Sequence, residues 1–168
     1  MKSQLVKLLI HSLVHLIFVL PYLPMYAKDF SIQTIDVNNR IEDLNTSSSG
    51  NHTWWVTERD INPADYKKYL LYKTNSDLQE DGWKPALVPG NPIGEKLVSV
   101  DTQTIWYLKV FNIKNTPEED QILNLKRISD RDETYLNGIL IGKTGEWNSD
   151  LAQAYDKSRL YKIPKEYL

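Results

Sequence analysis

A few side chains in this 168-residue sequence have the types and spacing that chemistry needs. Asp130, Asp132 and Glu133 form its densest acidic group, and paired carboxylates are what glycoside hydrolysis requires. Asp132 and Glu133 are adjacent, however, so on a strand they point to opposite faces of the sheet. Asp130-Arg131-Asp132 fits an ordinary turn with local hydrogen bonds ahead of a hairpin. Calcium needs several convergent oxygens, and no EF-hand spacing occurs. Trp147 is the better candidate for binding. It lies in residues 145–153 (GEWNSDLAQ) beside Glu146, Asn148 and Asp150. An apolar ring among polar donors and acceptors suits a carbohydrate or another small polar ligand, and loops carry such sites more often than strands do. Trp54 and Trp55 are neighbours, so on a strand one faces the core and the other outward, where Trp55 can stack on a sugar ring.

Other chemistry is poorly supplied. The absence of cysteine excludes disulfides, thiolate zinc sites, iron–sulfur clusters and a cysteine nucleophile. Of three histidines, His11 and His15 lie in an apolar run, and His52 stands in a polar loop without a G-x-S-x-G nucleophile motif to serve. No catalytic residue, metal site or cofactor is expected. With 20 Lys+Arg against 22 Asp+Glu, the chain lacks the clustered basic excess that nucleic acid demands. The sequons Asn45-Thr46-Ser47 and Asn51-His52-Thr53 carry information only in a eukaryotic secretory protein.

The elements that must position these residues begin after residue 27. Lys2 and Lys7 precede an almost unbroken apolar stretch over residues 8–20, followed by Pro21, Pro24 and Ala27. That order predicts an export signal over residues 1–27, or an uncleaved helical anchor, although the stretch is short of the ~20 residues of a membrane span. The protein is therefore expected outside the cytoplasm, touching a membrane only through that segment. Residues 45–51 and 88–94 are turn-rich. Residues 63–72 are the one helical candidate, with Asn62 as cap and Pro63 in the first turn. Beyond Thr102 the pattern is that of strands. Over residues 104–113, Trp106, Leu108 and Val110 share one face and Ile105, Tyr107, Phe111 and Ile113 the other, so both faces are covered. Residues 121–128 alternate, and so do residues 159–164, with Leu160 opposed to Tyr161. Asn137-Gly138 between two apolar runs is a type I′ hairpin signal that pairs Leu136 with Ile139, Tyr135 with Leu140 and Thr134 with Ile141. Short strands between turn signals predict an all-β sandwich over residues 28–168.

One ordered set of residues goes further. It comprises Trp83, Val88-Pro89-Gly90, Ile105-Trp106-Tyr107, the run from Ser129 through Asp132 and Glu133 to Asn137-Gly138, and Ile141-Gly142 with Gly145. It closes with Tyr155-Asp156-Lys157, Arg159 and Leu160-Tyr161-Lys162-Ile163-Pro164. This set, spanning residues 83–164, resembles the galactose-binding-like jelly-roll domain found as the sugar-binding domain of family 2 glycoside hydrolases. It is most similar to copies that serve as extracytoplasmic sensors of bacterial membrane signalling proteins. The resemblance implies a non-catalytic carbohydrate-binding or sensory module, possessing no catalytic domain of its own. An accessory fragment of a family 2 glycoside hydrolase or of a sialate O-acetylesterase is the alternative it implies. Asp132 and Arg159 are ligand candidates on the same ground, and the structural role expected of Arg159 is a contact with Asp156. Two departures stand out. Leu108, then Lys109, follows the Trp-Tyr pair where the family has a basic residue at once. The family's Ile-Pro segment leads into one more apolar strand, whereas the sequence ends at Leu168. A sandwich lacking its last strand is expected, with an edge open to a partner chain or to a strand from elsewhere.

Overall fold

The computed structural model describes residues 4–12, 33–36, 44, 54–72, 74–128, 131–146, 154 and 157–168. Strands dominate it, and the fold is β-rich. The chain enters through β1 (Gln4–Ser12), β2 (Gln33–Ile35) and β3 (Trp54–Thr57). A 3-10 turn (Pro63–Tyr66) and two short helices, α1 (Lys67–Leu70) and α2 (Asn75–Glu80), precede β4 (Lys84–Ala86). The remainder is β5 (Ile105–Ile113), β6 (Gln121–Arg127), β7 (Asp132–Leu136), β8 (Ile139–Thr144) and β9 (Ser158–Ile163), closed by a 3-10 turn at Lys165–Tyr167.

Nine residues rich in β-branched and aromatic side chains make β5 the middle of the molecule. One of its edges pairs antiparallel with β3 and parallel with β2, and the other pairs with β1 along its whole length. The large sheet runs β4-β3-β5-β1-β7-β8, with β2 beside β5, and a second sheet consists of β6 and β9. Both faces of β5 are covered, as the sequence pattern requires. Trp106, Leu108 and Val110 pack with Trp55, Trp83, Ile61, Tyr69 and Leu78 beneath the helical layer. Phe111 and Ile113 pack with Trp54 and Leu136 against Leu123, Tyr161 and Ile163 of the small sheet. Ile105 joins Val56, Ala86 and Val98 in a third cluster. Lys109 is buried among them, its ammonium 5.9 Å from the centre of the Trp54 ring.

Local signals account for the short elements. Asn62 accepts a hydrogen bond from the Ala64 amide ahead of the first 3-10 turn. Thr74 and Asp77 form a reciprocal capping box on α2, a helix that periodicity alone does not reveal. Asn137 and Gly138 take φ of 48° and 79°, the left-handed pair that a type I′ turn needs.

Three expectations are corrected. Residues 4–12, predicted as part of a signal or anchor helix, form a strand between β5 and β7. An apolar run on both parities suits either element, and the sheet around it decides. Trp54 and Trp55 do not divide into one inside and one outside; both are buried, because β3 has a core on each face. The hairpin keeps Leu136 with Ile139 and Tyr135 with Leu140, but its register then shifts and Thr134 opposes Gly142 instead of Ile141. The shift brings a residue without a side chain under Tyr161, where a Cβ would lie 2.1 Å from the ring.

Gly142→Ala is therefore expected to lower stability by about 1–3 kcal/mol or more through overpacking. Gly138→Ala should also destabilise, by roughly 1–2 kcal/mol for the left-handed backbone alone, and the new Cβ would in addition lie 2.8 Å from the Pro63 carbonyl oxygen. Denaturant midpoints of the two variants against the parent check both values.

Candidate functional site

The sequence-derived candidates divide into three groups. Asp132 and Arg159 come together, Glu146 lies nearby at the surface, and Trp55 is elsewhere in the core. Trp147, Asn148 and Asp150 lie outside the described residues, as do Asp130, Tyr155, Asp156 and His52.

Alternation along β7 sends Asp132, Thr134 and Leu136 inward toward the small sheet. Alternation along β9 sends Arg159, Tyr161 and Ile163 to meet them. At this junction the Arg159 Nε donates to Asp132 Oδ1 at 2.8 Å, and both side chains are fully buried. The Tyr161 hydroxyl donates to Asp132 Oδ2 at 2.7 Å and lies 2.7 Å from the Thr144 hydroxyl. Thr134 Oγ1 adds a donor to the same carboxylate oxygen at 3.3 Å. The Arg159 guanidinium also donates through Nη1 to the Lys157 carbonyl. Every oxygen of the Asp132 carboxylate is thus engaged by donors from β7 and β9. Such a carboxylate has no accessible face for a substrate. It ties the two sheets together through Arg159, twenty-seven residues away; the contact expected between Arg159 and Asp156 lies outside the described residues.

Glu133 points to the other face, as adjacency on a strand demands, and accepts from the Tyr135 hydroxyl at 2.6 Å. Burial, then the hydrogen bond to Glu133, push the Tyr135 hydroxyl up to about 12. Lys143 approaches both Glu133 and Glu146, at 3.9 and 3.4 Å. The two acidic side chains of β7 are separated by the sheet, so they cannot act as a glycosidase pair.

The same corner holds the base of the connection from β8 to β9. Arg131 Nη1 donates to the Glu146 carbonyl at 2.8 Å. Ala154 is buried against this base, and a Cβ on Gly145 would come within 2.9 Å of its methyl group. Gly145 and Ala154, on either side of residues 147–153, therefore approach each other at Arg131, the residue before Asp132. Trp55, by contrast, is 1% exposed beneath Tyr69 and Trp83, so its ring presents no face to a ligand.

A shallow open depression that the sequence did not point to lies over the helical layer, lined by Leu71, Tyr72, Thr74, Asp77, Glu80 and Asp81. Its principal charge is already matched: Asp81 Oδ1 accepts from Lys68 at 2.6 Å and from Arg59 at 3.2 Å. Burial opposes ionisation of Asp81, but hydrogen bonds from Lys68, Tyr72 and Arg59 outweigh it and hold the carboxyl below its ordinary range. Among the described residues no group of three or more His, Cys, Asp and Glu side chains can hold a metal ion.

Comparison with protein-family models, with curated proteins and with solved structures finds no match to this chain.

Burial pushes the Tyr161 hydroxyl above its ordinary value, and the Asp132 carboxylate reinforces the shift while Thr144 opposes it. A raised value means stability that is complete below ~10, the unfolded tyrosine value, and declines as pH climbs toward the folded one. Alkaline unfolding followed by tyrosine absorbance is thus expected to start above pH ~10. Tyr161→Phe should reduce that alkaline loss. It should also lower stability at neutral pH by about 1–3 kcal/mol, because Asp132 then loses a buried donor.

Proposed function

We propose that this protein is an exported, non-catalytic carbohydrate-binding or sensory module built on a galactose-binding-like jelly roll. The observation that carries the proposal is the fixed base of the β8–β9 connection, pinned by Arg131, Gly145 and Ala154 beside the buried Asp132–Arg159 pair. A connection whose described ends meet can bring its aromatic and polar residues together. Here the sequence supplies Trp147 with Glu146, Asn148 and Asp150, a ring for stacking and polar groups for hydroxyls. Two further features support the reading. Asp132 and Glu133, the described members of the acidic group, are engaged in structural hydrogen bonds. Lys2 and Lys7 with the apolar run through Leu20 support export.

Binding is tested on a glycan array with the full chain. The parent is expected to retain a defined sugar class, and Trp147→Ala to weaken that binding at least tenfold with an unchanged circular dichroism spectrum and unfolding midpoint. An array without a hit for the parent, or equal binding by the variant, overturns the assignment of Trp147.

A further inference from the structure

The order β4-β3-β5-β1-β7-β8 has a consequence for the first residues of the chain. Strands β5 and β7 do not pair with each other; β1 lies between them and is hydrogen-bonded on both edges. With β5 its ladder runs from Gln4 opposite Ile113 to Ser12 opposite Ile105. With β7 it runs from Leu8 opposite Leu136 to Ser12 opposite Asp132. Without β1 the large sheet divides into β4-β3-β5 with β2 and a separate β7-β8 hairpin. Leu108 and Leu136, both 0% exposed, would then border the gap.

We propose that the slot between β5 and β7 is a strand-binding site whose ligand is the chain's own Gln4–Ser12 segment, held there as a working part of the folded protein. The recognition is that of an inserted strand, with backbone pairing on two edges. The segment's composition fits the slot. Its partner β5 is buried on both faces, and a strand in that position needs apolar residues on both parities. Leu5 and Leu9 supply one parity, which also carries Lys7 and His11, and Val6, Leu8 and Ile10 supply the other. Position 9 stands opposite Leu108 on one side and Tyr135 on the other, so it marks the middle of the site. The residues that look like the apolar part of an export signal are then also the strand that joins the two halves of the sheet. Loss of that segment, and not cleavage after Ala27 by itself, would open that sheet. The inference concerns the folded chain and is independent of any sugar ligand.

The test uses the full chain with a specific protease site inserted between Ala27 and Lys28. The folded protein is cut, and the products are run on size exclusion under native conditions. The N-terminal fragment is expected to co-elute with the remainder at one to one and to separate only where the remainder unfolds. A labelled synthetic peptide of residues 2–14 should exchange into the cut protein. The same peptide with Leu9→Pro, which lacks a ladder donor, should bind at least tenfold more weakly. Loss of the fragment with no change in circular dichroism or unfolding midpoint would overturn the proposal. Equal uptake of the proline peptide would do the same.

Discussion

The interaction on which the rest of this structure depends is the buried ion pair between Asp132 and Arg159. It joins β7 of the large sheet to β9 of the small one, where neither side chain touches water. Two charges in that position are tolerated only if nearly every donor and acceptor is matched. Tyr161, Thr144 and Thr134 complete the match. The arrangement also explains the neighbouring backbone. The register shift in the β7–β8 hairpin brings Gly142 beneath the Tyr161 ring, which leaves the hydroxyl free to reach Asp132. A hydrophobic contact would tolerate small sliding of one sheet over the other, whereas this polar contact fixes their relative position.

From that fixed corner the functional reading follows by geometry. Gly145 and Glu146 at the start of the β8–β9 connection lie against Arg131, and Gly145 also lies against Ala154. Of the acidic group, Asp132 is saturated by donors and Glu133 faces the other way, so these two do not form a carboxylate pair. The proposed binding role falls to the connection itself, whose sequence includes Trp147.

Much of the framework was legible in the sequence, and the reasons differ from element to element. Asn137-Gly138 specifies its turn because few residue pairs accept two left-handed conformations. The two faces of β5 and the alternation of Leu160 with Tyr161 follow from the pleat of a strand. Other features depend on partners that no local window contains. Residues 4–12 carry apolar residues on both parities, a pattern shared by helical signals and by central strands, and the neighbours β5 and β7 distinguish them. Trp55 is inside because helices cover the second face of β3, which the Trp-Trp pair cannot reveal. Arg159 carries no local hint of Asp132, since the two are brought together by the meeting of two sheets. The capping box at Thr74 and Asp77 was a signal present in the sequence that points to α2.

The central claim is that Asp132 and Arg159 act as one unit joining the sheets, and a double-mutant cycle measures this directly. Asp132→Ala, Arg159→Met and the double variant would be unfolded by denaturant at neutral pH. Each single change is predicted to cost about 3–5 kcal/mol, because it leaves one buried charge unmatched. The double variant should cost no more than the worse single. Single effects below ~1 kcal/mol that simply add, as exposed pairs give, would contradict the account.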